Sequence, residues 1–439
     1  MIDVGQDPAT IAPMGISESY ALRLFIREPT RTRLALLVAA AGLGVYLLKS
    51  VQQFLNLDVS LDYVFYLRAA RGLADGSDIY AAFQQVCPRA GAGCQGFTGY
   101  YIYPPLLAEL LRPLAAISLP DGARAWLITG HVSLGVSLLI IYRTIRPFSS
   151  LAVMAFVTGA TLVFLPLYEN LYFMQVNTVL LVVLALAAWG FVAQPSGVAA
   201  GLALGVGSVL RVTPAAMGLA LVRSRRSLPG LAVMAATATL LLAALAVVTP
   251  ATVEYLTKVL PRLAGSFPWV ENQSLPGALG RAAALAVASP LAAGPLLARV
   301  LGVAPILITP AIVLATLVRS RGIDSPRGRA AVFAAFLAAI PIYASVTEQH
   351  HLVAELLVYA LLAPSLVAGS RPWWLAVAAY PFLWISHDDP LVWALSLTGP
   401  VADYALAVLM MVPFNLVGMI LLWLSCQEVL RQAGRSLPP

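Results

Sequence analysis

Two carboxylates, Asp58 and Asp62, stand in a polar and aromatic stretch, Asn56 to Pro105, that lies between two long apolar runs. A carboxylate at a membrane-facing cavity can act as a general base, taking a proton from a hydroxyl as that oxygen attacks. One of the pair, Asp62 above all, can equally cap a helix N-terminus, which aspartate does routinely. A second set, His350 and His351, falls at a helix end on the same expected side; neighbours on a helix point about 100° apart, which favours only one of them entering a shared cavity. The third set is Asn272, Gln273 and Ser274, with Arg281 beyond it. Alone it reads as an ordinary loop, and it also fits the glycosylation acceptor pattern. The fourth comprises Gln175 and Asn177, which can hydrogen-bond between helices, and Arg211, whose guanidinium inside an apolar segment needs an anionic partner such as a lipid phosphate. With four histidines in all, and no Cys or Glu at matching spacing, no metal site is expected.

These groups have to be positioned in a chain of 439 residues that is 60% hydrophobic and only 11% charged. Such a composition lies outside the soluble range and describes an all-α polytopic membrane protein. The net charge of +7 is carried almost wholly by arginine, Lys49 and Lys258 being the only lysines. It reads as an orientation signal and not as a nucleic-acid surface. Ionisable groups beside a bilayer are costly, so the few present are informative.

About twelve apolar runs are long enough to be considered as spans, for a total of about 11 to 13 transmembrane helices. Arg23, Arg27, Arg31 and Arg33 precede the first, Leu34 to Leu55. They place the N-terminus in the cytoplasm and the first loop, residues 56–102, outside. Within that loop Asp62 to Asp75 is expected to form an amphipathic helix, with Leu61, Val64, Phe65 and Leu73 on its apolar face. Met1 to Ser17 is polar, so the first span is expected to act as an uncleaved signal. Further candidates include a segment from Tyr103 to about Ser118, Leu151 to Leu167, Val198 to Val222, and Leu228 to Val248. A second outer loop covers residues 250–276, and the C-terminus returns to the cytoplasm. Arg143 and Arg146 fall outside by helix parity, unless a nearby segment does not fully span. No internal repeat is visible, so residues 1–439 are read as one domain. Cys87 and Cys94 share the first loop and can form a disulfide if that side is oxidising.

Several of these pieces recur in one order. Asp62-Tyr63-Val64-Phe65-Tyr66 is followed by Gly76-Ser77-Asp78-Ile79-Tyr80 and Tyr103-Pro104-Pro105-Leu106. Then come Gln175-Val176-Asn177, Arg211 with Pro214, Asn272-Gln273-Ser274-Leu275 with Arg281, and His350-His351. Together they resemble glycosyltransferase family 87, the polytopic GT-C type mannosyltransferases. Met174 stands where that pattern commonly has Gly, and Arg211 where Lys is usual. The resemblance implies a GT-C fold in a bacterial cytoplasmic membrane, with the active site on the extracytoplasmic side and no cofactor. It implies transfer of a hexose, typically mannose, from a polyprenyl-phosphate sugar to a glycolipid or glycan acceptor. Asp62 would be the base, with Asp58 the other candidate. Arg211, Arg281, His350 and His351 would serve the donor phosphate, His351 being the preferred histidine on the family pattern. Tyr66, Tyr103, Gln175, Asn177, Asn272, Gln273 and Ser274 would line the substrate. A transporter or flippase of a lipid-linked sugar, or an enzyme of different sugar specificity, are the alternatives.

Overall fold

The computed structural model describes residues 28–57, 61–87, 100–265, 267–288, 293–367, 369–385 and 412–435, and among them the regular structure is entirely helical. Asp58 and Cys94 lie outside the described residues; Cys87 is buried and disulfide-bonded. Five single helices are long and apolar enough to cross a membrane. They include α1 (Glu28–Leu55), α5 (Leu119–Ile145) and α11 (Leu228–Val248). Shorter apolar helices, α8 (Asn177–Ala193) and α9 (Val198–Leu210) among them, complete the bundle.

Small residues let these helices meet closely, as packing between apolar helices in lipid requires. A Cβ on Gly201 of α9 would lie 1.9 Å from the Gly230 carbonyl oxygen of α11, and one on Gly42 of α1 would lie 2.7 Å from the Gly159 oxygen. A second, aromatic core sits at one end of the bundle. Tyr63, Tyr66, Tyr80, Phe83, Tyr101, Tyr103, Trp126 and Tyr255 are buried together there. It roots α2 (Leu61–Asp75), α3 (Ala81–Val86) and α4 (Pro105–Ala115) on the ends of the longer helices.

The structure refines four readings of the sequence. The buried face of α2 is Tyr63, Tyr66, Leu67 and Ala70, while Val64, Phe65 and Leu73 are only partly covered. Aromatic partners, Tyr101 and Tyr103 just before α4 and Trp126 on α5, are invisible in local periodicity and select that face. The segment after Tyr103 is an 11-residue helix, about 16 Å long against a hydrocarbon core of about 30 Å. It does not span, which resolves the parity conflict. α5 begins at the aromatic end, where Trp126 donates to the Met174 carbonyl at 2.6 Å, and so carries Arg143 and Arg146 to the other end. There they join Arg223 and Arg226, both paired with Asp324, and Arg329, which donates to the Val192 carbonyl. Leu151 to Leu167 is two helices, α6 (Leu151–Leu162) and α7 (Leu165–Tyr172), bent by 46°. Val198 to Val222 is also broken: α9 ends at Leu210, Arg211 is extended (φ −155°, ψ 138°), and a 3-10 turn at Thr213–Met217 leads into α10 (Gly218–Val222). Arg211 therefore stands at a break and not in mid-span.

Candidate active site

The breaks and half-helices converge on a cavity of about 740 Å³ beside the aromatic core. Its wall includes Asp62, Tyr103, Gln175, Arg211, His350 and His351. Sequence positions 289 residues apart meet there because the first turn of α2, the α7–α8 turn, the α9 break and the start of a 3-10 helix at Gln349–Ala354 all contribute to its wall.

Asp62 occupies the first turn of α2, partly buried. Burial pushes its carboxyl up to about 6, against the opposing pull of a hydrogen bond from Gln175 and the charge of Arg211. The orientation of the Gln175 amide follows from its neighbours. Tyr66 and Tyr103 both donate to Oε1, at 2.7 and 2.9 Å, which turns the amide NH₂, a donor only, toward the carboxylate. Tyr66, buried behind Gln175, does not line the cavity; it fixes the group that does.

Gln175 follows the tightest turn of the site. Met174 has φ +50°, alone among the described non-glycine residues in having a positive φ. Glycine adopts that region freely and other residues pay steric strain there. This accounts for Gly at that place in the family pattern; here Met174 is held by burial and by the indole bond from Trp126.

Arg211 is the organising cation. It donates to Asn177 Oδ1 and, at 2.6 Å, faces His351 Nε2, while its guanidinium stacks 5.5 Å above the Tyr103 ring. A guanidinium only donates, so His351 Nε2 must be unprotonated. Burial and then the Arg211 charge hold His351 well below its usual value and push His350 down to about 3. Burial and the Arg211 contact thus hold both rings toward the neutral form. Asn177 reaches back to the His350 carbonyl at 3.1 Å, tying α8 to the 3-10 helix. Asn177 thus acts behind the wall.

Glu348, His350 and His351 hold ligand-type atoms within 4.8 Å of one another. A divalent ion among them would sit against the Arg211 guanidinium, and Glu348 already meets His350 Nε2 at 3.3 Å. The donor set fits a polar network better than a metal centre.

Four expected site residues lie elsewhere. Asn272 is fully buried, donates to the Phe267 and Ser345 carbonyls, and accepts from Thr347 N at 2.9 Å. Gln273 bonds the Val270 carbonyl, and Ser274 Oγ accepts from Gly277 N at the start of α14 (Leu275–Ala288). Arg281 donates to the Trp269 and Asn272 carbonyls. Asn272 ties the loop to residues 345–347, while Gln273, Ser274 and Arg281 hold the loop itself from behind, and the buried Asn272 is no glycosylation acceptor as folded. A buried polar side chain needs internal partners, and here the backbone supplies them.

Sequence reasoning missed Glu169, Tyr255, Glu271 and Glu348 as wall residues. Glu169 stood just past an apolar run whose bend was not visible. A carboxylate flanked by apolar residues was the available signal.

Two solved structures of ArnT from Cupriavidus metallidurans are similar to this chain. One is bound to undecaprenyl phosphate (17% identity, covering 91% of this chain and 77% of that one, TM-score 0.43). The other is the apo state (17% identity, 92% and 78%, TM-score 0.41). No curated protein matches the sequence. The profile of glycosyltransferase family 87 matches residues 101–345, more than half of the chain. That stretch takes in Tyr103, Gln175, Asn177 and Arg211, and leaves Asp62, His350 and His351 outside. By this match the chain belongs to glycosyltransferase family 87.

Proposed function

We propose that the protein is a GT-C type mannosyltransferase that moves a hexose from a polyprenyl-phosphate sugar to a glycolipid or glycan acceptor, with inversion. The observation that supports this reading is the pairing of one partly buried carboxylate, Asp62, with one guanidinium, Arg211, in a single cavity at a helix-bundle end. Polyprenyl phosphate is an anion on an apolar tail, so its phosphate must be presented at the membrane surface. Arg211 would receive it bidentately and offset the charge that grows as the phosphate leaves. Asp62 would take the acceptor hydroxyl's proton while that oxygen attacks the anomeric carbon from the opposite face. The carbon–phosphate oxygen bond then breaks and its electron pair departs with the phosphate. A base held near 6 is ionised at neutral pH yet more basic than an ordinary carboxylate.

The arginines at the end opposite the cavity favour that end as cytoplasmic, which supports a reaction on the extracytoplasmic side of a bacterial inner membrane. The test is transfer of radiolabelled mannose from polyprenyl phosphate mannose to a membrane lipid extract, by the purified protein and its Asp62→Asn variant. Labelled product that vanishes in the variant supports the reading. Intact protein that makes no product from any polyprenyl-phosphate sugar overturns it.

A further inference from the structure

One phenol on the cavity wall takes no part in the network around Gln175 and Arg211. Tyr255 lines the cavity and is only 2% exposed, yet among the described residues its hydroxyl has no hydrogen-bond partner. Buried phenols around it are committed: Tyr66 and Tyr103 donate to Gln175, Tyr80 to the Tyr103 carbonyl and Tyr101 to the Pro104 carbonyl. Buried polar groups nearly always find a partner, so a hydroxyl on a cavity wall with no protein acceptor is open to what the cavity holds. Tyr100 and Tyr343 also bring phenols to the wall, but both are partly exposed. The backbone sets Tyr255 apart as well. Between α12 (Ala251–Glu254) and α13 (Leu260–Leu263) the chain runs through a π-helical turn, Tyr255–Val259. Such wide turns are uncommon and recur at functional sites. Tyr255 and Val259 are buried by it, while Leu256, Thr257 and Lys258 are exposed.

The Tyr255 ring packs 5.9 Å from Tyr80, whose hydroxyl bonds the Tyr103 carbonyl at 2.7 Å, and the Arg211 guanidinium stacks on Tyr103. One ring therefore separates the phenol from the residue that Arg211 stacks on. Charge sorts the wall in the same way. Tyr103 feels Asp62 and Glu348 as well as Arg211, whereas the ion acting at Tyr255 is Arg211. We infer that Tyr255 is a second, uncharged donor to the phosphate of the polyprenyl-phosphate substrate, its hydroxyl bonding an anionic oxygen beside the Arg211 fork. The inference rests on the donor reading above, which places that phosphate at Arg211. The fork takes two oxygens bidentately. As the bond to the anomeric carbon breaks, the phosphate gains a third terminal oxygen and a further negative charge. An O–H aimed there stabilises the departing group while keeping its own proton. Burial pushes the phenol up, with the Arg211 charge pulling the other way, so Tyr255 stays a donor at working pH. A second cation in that place would repel Arg211, and a phenol does not.

Tyr255→Phe deletes the hydroxyl and keeps the ring against Tyr80. The measurement is equilibrium binding of two probes to the purified full chain and to this variant: polyprenyl phosphate, which is the leaving group itself, and the polyprenol that lacks the phosphate. Affinity for polyprenyl phosphate is expected to fall about ten- to a hundredfold in the variant, the range for a hydrogen bond to a charged group. Polyprenol binding stays unchanged, which also reports an intact fold. Unchanged affinity for polyprenyl phosphate, or an equal loss for both probes, overturns the inference and leaves the transferase reading standing. A larger loss of phosphate affinity in Tyr100→Phe or Tyr343→Phe overturns it too, by giving the bond to another phenol. If the wild type binds polyprenyl phosphate but transfers no sugar, the transferase reading fails, and the two-probe comparison still decides Tyr255. A wild type that binds polyprenol as tightly as its phosphate refutes phosphate recognition at Arg211, and the role of Tyr255 falls with it.

Discussion

Gln175→Glu is the most informative single change at the site. The variant keeps the side chain's shape and still offers oxygens to the Tyr66 and Tyr103 hydroxyls, which bond Gln175 at 2.7 and 2.9 Å. What it loses is the donor facing Asp62. A hydrogen bond to a charged group contributes about 1.5–3 kcal/mol, and one pKa unit corresponds to about 1.36 kcal/mol. Removing it therefore raises Asp62 by about one to two units, and the new negative charge acts in the same direction. The two phenols stabilise the ionised form of the new carboxylate, so Asp62 takes the proton that the pair shares. Asp62 starts from about 6. Its acid limb in kcat/KM is accordingly expected near 6 in the wild type and near ~7–8 in the variant. The sign follows from the role: a base is competent only when ionised, so activity falls as pH drops through its pKa. Transfer rates measured from about pH 5 to about pH 9 for both proteins give the answer. A variant whose limb stays where it was, with only a lower plateau, would refute the placement of Gln175 as the group that sets Asp62.

Asp62→Asn should reduce transfer by about a thousandfold or more, within the range that general-base catalysis supplies, while the protein still inserts and melts normally; Asp58→Asn should be milder, and the reverse order would move the base to Asp58. Arg211→Ala removes the guanidinium and leaves Asn177 Oδ1 and His351 Nε2 without their donor; donor KM should rise about ten- to a hundredfold, with Arg211→Lys intermediate because it keeps charge but not the fork. Asn272→Ala deletes four hydrogen bonds and should cost about 2–4 kcal/mol, visible as a lower unfolding temperature in detergent with donor KM unchanged in the protein that remains folded. A substrate-binding role for Asn272 would instead move KM at constant stability. Gly201→Ala forces a Cβ to within 1.9 Å of a carbonyl oxygen of α11. Overpacking of that kind costs about 1–3 kcal/mol and should lower the unfolding temperature without touching the pH profile.

The parts of this molecule that the sequence exposes are those whose chemistry is uniform along the chain. Leu228–Val248 is a helix at the two residues where its apolar run begins and ends, and α2 starts one residue before the expected Asp62. An uninterrupted apolar run has a single good answer in lipid, because every backbone group must be paired within the helix. The site defeats the same reasoning for a physical cause. Hydropathy averaged across Val198 to Val222 absorbs Arg211 into a long span, but a guanidinium cannot stay in hydrocarbon, and the chain opens there with an extended residue followed by Thr213-Pro214. The run before Glu169 also turns, by 46°, at a break where Pro166 stands in the first turn of the next helix, and Glu169 follows within that helix. At Arg211 the charge and the break coincide, and the charged group meets the cavity there. Identity alone could not separate Arg211 from Arg281, since both are arginines in apolar surroundings. They differ in what their donors find. Arg281 finds two carbonyls of its own loop and closes a structural clamp, whereas Arg211 finds a histidine nitrogen on the cavity wall and the amide oxygen of Asn177 just behind it. Partners of this kind are fixed by tertiary approach, at sequence separations of 140 and 34 residues, which no local pattern encodes. A charge within an apolar run therefore locates where a helix must stop, and only the assembled bundle decides whether that stop faces a substrate.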